Sequence, residues 1–118
     1  MITPEFARRF AEEWIEGWNS GDLDRILSHY TDEFEMRSPF IVLKMKEPSG
    51  ILKGKDAIRP YWTIGLAGNP PLHFELEQVF AGADSVAILY RSNRAGRVIE
   101  TIFFDQKLRA IRGVAHYQ

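Results

Sequence analysis

The sequence has 118 residues, which is enough for one domain with a single hydrophobic core but leaves no room for a second domain. Its 45% hydrophobic and 26% charged residues are typical of a folded globular protein, and the net charge of −1 with scattered lysines and arginines argues against nucleic acid binding. The absence of cysteine excludes disulfides and zinc-thiolate sites, and no apolar run could span a bilayer, so we expect a cytoplasmic protein with no membrane association.

The chain begins with a predicted amphipathic helix. Thr3 can cap a helix N-terminus, and Pro4 suits the first helical position. The apolar residues that follow recur at helical spacing, namely Phe6, Ala7, Phe10, Ala11, Trp14 and Trp18. Gly21 predicts the end of this helix, and residues 23–30 predict a short second one.

The pattern then changes to the two-residue period of a strand. Residues 34–46 predict one strand, which is followed by a turn at residues 47–50 and a brief return strand at Ile51–Lys53. Residues 54–67 predict a third helix, although Pro60 should bend it or delay its start.

Four strands complete the chain, at about 73–81, 84–92, 97–105 and 108–117. Helices in the first half and strands in the second predict an α+β protein, with residues 1–118 forming one domain. We expect a curved antiparallel sheet with three helices packed on its concave face.

Regular hairpins would place Leu76 opposite Leu89, Leu89 opposite Glu100, and Glu100 opposite Gly113. The concave face would then carry Phe74, Leu76, Gln78, Phe80, Ala87, Leu89, Arg91, Val98, Glu100, Ile102, Ile111, Gly113 and Ala115. The outer face would carry Glu75, Val79, Ile88, Tyr90, Ile99, Thr101, Phe103, Ala110, Arg112 and Val114. Because this outer face is too apolar to remain in water, we expect a homodimer that forms through it.

Glu100 is the strongest candidate for chemistry. A carboxylate among apolar neighbours in mid-strand has its charged form disfavoured and can donate or accept a proton. The alternative is a structural ion pair with Arg91, which the predicted register places diagonally across the hairpin. The three histidines, His29, His73 and His116, show no metal-binding spacing, so we predict neither a metal site nor a cofactor.

Aromatic residues on the helices and small residues around Glu100 predict an enclosed pocket for a small-molecule ligand. The predicted ligand-binding residues are Trp14, Trp18, Tyr30, Met36, Ser38, Tyr61, Trp62, Phe74, Leu89, Arg91 and Gly113.

Trp14 and Trp18 in the first helix, NSGDLD at residues 19–24, YTDEFEMRSP at residues 30–39 and GKDAIR at residues 54–59 resemble the SnoaL-like branch of the nuclear transport factor 2-like superfamily. The resemblance covers essentially the whole chain. It implies a cone-shaped fold of the cystatin-like α+β barrel type, with a deep pocket and, commonly, a homodimer. It does not specify an activity, because the superfamily includes isomerases, cyclases, dehydratases, epoxide hydrolases and non-enzymatic binders.

Among these relatives, the ketosteroid isomerases align without gaps from the NSGDLD stretch to Ser38. Their three chemical positions, a tyrosine donor, an aspartate base and a protonated acid, correspond here to Trp14, Ser38 and Glu100. Only Glu100 keeps a carboxyl group, and a serine cannot by itself abstract a proton from carbon. The resemblance therefore does not predict steroid isomerisation by that mechanism.

Two functional hypotheses follow. The first is a small-molecule pocket with cofactor-independent acid/base chemistry on a carbonyl- or hydroxyl-bearing compound, in which Glu100 is the acid/base and Trp14 and Ser38 position the substrate. The second is a non-catalytic ligand-binding or dimerisation domain.

Overall fold

A computed structural model describes residues 1–118. Its ten elements are α1 (Pro4–Ser20), α2 (Leu23–Leu27), β1 (Tyr30–Arg37), α3 (Pro39–Met45), β2 (Ile51–Lys53), α4 (Lys55–Leu66), β3 (Phe74–Ala81), β4 (Ser85–Ser92), β5 (Gly96–Phe104) and β6 (Ala110–Tyr117). The strands form one curved, unclosed sheet in the order β2-β1-β6-β5-β4-β3. All neighbouring strands are antiparallel except β1 and β6, which are parallel. The α+β prediction is confirmed, with four helices rather than three.

The predicted start and end of the first helix are confirmed. Thr3 caps α1, and Gly21 ends it in the left-handed conformation with a φ of 72°. The side chain of Asn19, near this end, forms two hydrogen bonds with the backbone of Phe74. It donates to the Phe74 carbonyl at 2.9 Å and accepts from the Phe74 amide at 2.7 Å. These two bonds attach the end of α1 to the start of β3.

The predicted strand over residues 34–46 is wrong in its second half. The strand ends at Arg37, and Ser38 caps a new helix by accepting the amide of Phe40 at 3.2 Å. Pro39 then occupies the first position of α3, where its missing N–H costs no hydrogen bond. The Ser38-Pro39 pair is thus a helix start. It was not recognised in the sequence because the apolar residues before it alternate with the two-residue period of a strand.

The predicted register between β4 and β5 is wrong by one residue. Ser92 pairs with Gly96, so the hairpin loop has three residues and is closed by Gly96 with a φ of 73°. Glu100 consequently opposes Ile88 instead of Leu89. A one-residue shift reverses the faces of β4, so its buried residues are Val86, Ile88, Tyr90 and Ser92.

Two further irregularities change the predicted faces. The register of β3 shifts between Leu76 and Gln78, and the extra residue of this bulge turns Gln78 and Phe80 outward. A second shift, between Phe103 and Phe104, occurs in the β5–β6 pairing. In β6, Ile111 is exposed rather than enclosed, and Ala110 is buried rather than exposed.

The β5–β6 pairing is also displaced from the prediction, but without a change of face. Glu100 opposes Ala115, and Ile102 opposes Gly113. Since the displacement from Gly113 to Ala115 is two residues, Glu100, Ile102, Gly113 and Ala115 remain on the concave face. The prediction that Glu100 lies on that face is therefore confirmed.

The hydrophobic core lies between the helices and the concave face of the sheet. Its centre contains Tyr30 and Phe34 of β1, whose ring centroids are 4.3 Å apart, together with Trp62 of α4 at 5.4 Å from Phe34. Tyr30 begins β1 and does not extend the second helix as predicted. No helix of this protein is both long and apolar enough to cross a membrane.

Candidate functional site

A cavity of about 130 Å³ lies between the concave face of the sheet and helices α1, α3 and α4. Twelve of its seventeen lining residues are hydrophobic, and Glu100 is the one acidic residue among them. The predicted site residues that line it are Trp14, Trp18, Met36, Tyr61, Trp62, Phe74 and Glu100.

Glu100 is buried at 4% exposure, in the middle of β5. Its carboxyl accepts a hydrogen bond from the Tyr90 hydroxyl at 3.4 Å and has no cationic partner. Burial raises the pKa of this carboxyl to about 8. Glu100 is therefore mostly protonated at neutral pH and can serve as a proton donor.

The alternative that Glu100 forms a structural ion pair with Arg91 is wrong. Arg91 lies on the outer face, where its guanidinium is 3.7 Å from the carboxylate of Glu77. Leu89 also points away from the cavity. Arg91 and Leu89 were predicted in the site but lie on the outer face, because the three-residue hairpin loop reverses the faces of β4.

All four tyrosines of the chain lie close enough to Glu100 for its charge to affect them. Burial raises the pKa of each hydroxyl, and a negative charge on Glu100 would raise it further, at Tyr30, Tyr61, Tyr90 and Tyr117. These hydroxyls consequently stay protonated, and those of Tyr61 and Tyr90 donate hydrogen bonds to Ser38 and Glu100. The carboxyl group thus lies within a set of neutral phenols rather than beside a counter-charge.

Three predicted residues support the cavity from behind its lining. The Tyr30 hydroxyl accepts the indole N–H of Trp14 at 3.0 Å, and Ser38 Oγ accepts the hydroxyl of Tyr61 at 3.2 Å. Gly113 packs against Met36, since a Cβ at this position would lie 3.1 Å from Met36 Sδ, and it also lies near Glu100 Oε2, at 3.7 Å. The glycine therefore leaves room for the Met36 side chain, which lines the cavity.

Ten lining residues were not among the site residues predicted from the sequence, although Val98 was expected on the concave face. Phe40 and Lys44 lie on α3, the helix that was not predicted, and Tyr90 and Ser92 lie on β4, whose faces are reversed. The others are Gly65, Leu72, Arg94, Ala95, Val98 and Tyr117. Two sequence signals could have identified the residues on α3 and β4. Ser38-Pro39 is typical of a helix start, and Gly96 is typical of the end of a three-residue hairpin loop. For Tyr117, which belongs to the last strand, the sequence offered no separate signal.

Arg94 holds one side of the cavity mouth in place. Its guanidinium donates to the main-chain carbonyls of Gly65 at 3.0 Å and Ala67 at 2.7 Å, at the end of α4, and to that of Pro70 at 2.9 Å in the loop that follows. Carbonyls at a helix C-terminus lack partners within the helix. The β4–β5 hairpin therefore both caps α4 and contributes to the lining.

A family model for the SnoaL-like domain matches residues 11–118. This chain belongs to the SnoaL-like family. A solved SnoaL-like protein of unknown function from Burkholderia thailandensis is similar to this SnoaL-like domain at 48% identity and a TM-score of 0.95, covering 99% of this chain and 98% of that one.

A more distant solved structure shares the fold alone. It is the epoxide hydrolase/cyclase-like enzyme SalBIII, described in pyran ring formation in the polyether salinomycin, with 16% identity, a TM-score of 0.75 and coverage of 100% of this chain and 95% of that one. Among curated proteins, none matches the sequence. The SnoaL-like assignment made from the sequence is confirmed, and with it the nuclear transport factor 2-like fold.

The site of this SnoaL-like domain contains one buried acid in an aromatic cavity. The lining includes no histidine and no second carboxyl group, and its two cations, Lys44 and Arg94, have exposed positions. The structure has no group of three or more side chains suited to bind a metal ion. Proton donation and acceptance by Glu100 is the chemistry that these side chains can perform themselves.

Proposed function

We propose that this SnoaL-like domain binds a small apolar compound bearing a carbonyl or hydroxyl group, and that Glu100 exchanges a proton with it without a cofactor. The observation that carries the proposal is a buried carboxyl group that lines an aromatic cavity and has no cationic partner. The absence of cysteine is compatible with the reducing cytoplasm, where we expect the protein to act.

The dimensions of the cavity define the size of the ligand. Its volume of about 130 Å³ is close to that of engineered apolar cavities that bind benzene. A compound built on a single ring fits this space, whereas the four fused rings of a steroid exceed it. Trp14 and Ser38 act as positioning residues, through their hydrogen bonds with Tyr30 and Tyr61.

The charge state of Glu100 favours donation as the first step at neutral pH. A group whose pKa lies near the working pH can both give a proton and take it back, which is the requirement for general acid/base catalysis. Isomerisation, cyclisation, dehydration and hydrolysis all remain compatible with one such group. The alternative function is binding without catalysis, and the two differ in whether Glu100 accelerates a reaction.

Ring opening of 1,2-benzisoxazole tests this proposal without knowledge of the natural substrate. The Glu100 carboxylate would take the proton from C3, the ring N–O bond would break to release 2-cyanophenolate, and Glu100 would then lose the proton to solvent. We expect acceleration of about 100-fold or more over buffer, as is typical of a positioned base. The rate should rise with pH and level off above about 8, because the carboxylate is the reactive form.

The matched variants are Glu100→Gln and Glu77→Gln, the second of which changes a carboxylate on the outer face. Glu100→Gln should reduce the rate to that of buffer, and Glu77→Gln should retain it. Full activity in Glu100→Gln would contradict the assigned role. Binding of benzisoxazole without acceleration would support the non-catalytic alternative.

We further propose that the protein is a homodimer formed through the outer face of the sheet. An apolar patch of neighbouring residues in β3, β4, β5 and β6 lies there, consisting of Phe80, Ala87, Leu89, Ile99, Thr101, Phe103 and Val114. Phe80 and Ile99 are 56% and 45% exposed, which is unusual for side chains of this size. Ion pairs of Glu77 with Arg91 and Arg97 lie beside the patch, so that a second copy can cover an apolar centre with a polar rim.

Sedimentation velocity at micromolar concentration tests this association. We expect a dimer for the unchanged protein and a monomer for Ile99→Asp, because a charge at the centre of the patch would have to be buried without a partner. Leu43→Asp is the control, since Leu43 is 71% exposed on α3, away from the sheet. A monomeric unchanged protein would exclude the dimer.

A further inference from the structure

The mouth of the cavity carries both cations of the lining. The deep part of the lining consists of buried residues, and Glu100 is one of them. Phe40, Lys44, Arg94 and Tyr117 are exposed or partly exposed, so they lie where the cavity opens to solvent. No acid accompanies them at the mouth. The mouth is therefore positive, although the protein as a whole has a net charge of −1.

Neither cation is neutralised by an acid of the protein. Nine ion pairs join other side chains, and none of them includes a lining residue. Arg94 donates to three main-chain carbonyls, which hold the guanidinium in place and leave its charge uncompensated. The Lys44 ammonium lies over the ring of Phe40, 5.8 Å from its centroid. Its N–H groups are thus free to bind an anion.

The position of Phe40 places this ammonium at the entrance of the cavity. The Phe40 centroid lies 4.3 Å from that of Tyr117, and both rings line the cavity. Tyr117 pairs with Val98, two residues from Glu100 on β5. Because Lys44 is exposed and Glu100 is buried, the cation lies at the outer end of the cavity and the acid at the inner end. A ring between them can present one polar group to each.

We infer that the ligand carries a carboxylate, which stays at the mouth beside Lys44 while its ring fills the cavity and its reacting group meets Glu100. This inference rests on the proposed function, and it narrows the ligand to a single-ring compound with one negative charge. At the inner end a carboxylate would lose its hydration without gaining a cation. At the mouth it keeps part of its hydration and gains one, so its charge determines the orientation in which the compound binds.

The probes for this inference are 4-hydroxyphenylacetate and 4-hydroxyphenylacetamide, which share the ring and the phenol and differ in charge. We expect the unchanged protein to bind the carboxylate about 5-fold more tightly, by calorimetry at low salt, as is typical of a well-placed exposed ion pair. Sodium chloride at about 0.5 M should reduce this preference, since it screens exposed charges. A pH of about 6.5 keeps Glu100 neutral, so that it does not repel the anion.

Lys44→Met keeps an unbranched side chain over Phe40 but removes the charge, so it should abolish the preference. Lys53→Met is the matched control, because it makes the same change at an exposed position of β2 outside the lining, and it should retain the preference. Glu100→Gln should retain it as well, since the carboxylate does not contact the acid. A merely structural role of Lys44 in the last turn of α3 would alter stability but not the choice between the probes.

Two results would overturn the inference and leave the proposed function standing. They are equal affinity of the unchanged protein for both probes, and a preference that persists in Lys44→Met. If neither probe binds, the inference is wrong, and the ring opening of benzisoxazole, which involves no anionic ligand, decides separately on the proposed function. Loss of the preference in Lys44→Met, with its retention in Lys53→Met, would support the inference.

Discussion

Glu100→Gln is expected to stabilise the protein by about 5 kcal/mol at pH 9 and by almost nothing at pH 4. In the unfolded chain this carboxyl ionises at its ordinary pKa of 4.5, whereas burial raises its pKa in the folded protein to about 8. Between these values the unfolded state releases the proton first, so rising pH draws the equilibrium towards unfolding. The stability that the neutral Glu100 side chain contributes is complete below the unfolded-state pKa of 4.5. It is lost as the pH rises through the folded-state pKa of about 8.

Urea unfolding of both proteins at a series of pH values measures this difference. Glutamine has nearly the same shape as glutamic acid, cannot ionise and can still accept a hydrogen bond from the Tyr90 hydroxyl. The increase in the free energy of unfolding caused by Glu100→Gln should therefore grow between pH 5 and pH 8 and then level off. Glu75→Gln, at an exposed position of β3, should show no such growth. An equal gain at every pH would mean that the ionisation of Glu100 is not its cause.

Ile88→Ala is expected to reduce the free energy of unfolding by about 3–4 kcal/mol, and Leu89→Ala by less than half of this. Ile88 is fully buried on the concave face, while Leu89 is partly exposed on the outer face. The comparison therefore measures which face of β4 is enclosed. Denaturant unfolding of both variants, at a protein concentration at which sedimentation shows a monomer, gives both values without a contribution from the proposed dimer interface.

The register of regular hairpins predicts the opposite order, with Leu89 enclosed and Ile88 outside. A larger loss for Leu89→Ala would accordingly contradict the observed pairing of Ile88 with Glu100 and support that of Leu89. The two variants remove side chains of equal size from adjacent positions. Differences in hydrophobicity or strand propensity therefore contribute little to the result.

Much of the fold was predictable because its signals are local. Thr3 and Pro4 begin a helix and Gly21 ends it, through capping and backbone preferences that act within a few residues. The segment after Ser38 was not predicted, because Phe40 to Met45 contain too few turns for a helical period to stand out from the alternation before it.

The candidate site was predictable in part. Trp14, Trp18, Trp62 and Glu100 were expected in one cavity and line it, because their own helices and strand determine which way they face. Tyr90 was expected outside and lies inside, next to the acid. Its direction depends on how β4 pairs with β5, and one residue in a loop reverses it.

The sequence by itself determined the α+β order of elements, the aromatic face of α1 and the alternation that places Glu100 beside Val98 and Ile102. These are properties of short segments with a fixed period. Only the tertiary structure decided that Tyr90, rather than Arg91, is the neighbour of Glu100, because the register of β4 against β5 depends on the length of the loop between them. It also decided the charge state of that acid, since removal from water by helices and strands distant in sequence raises the pKa of Glu100.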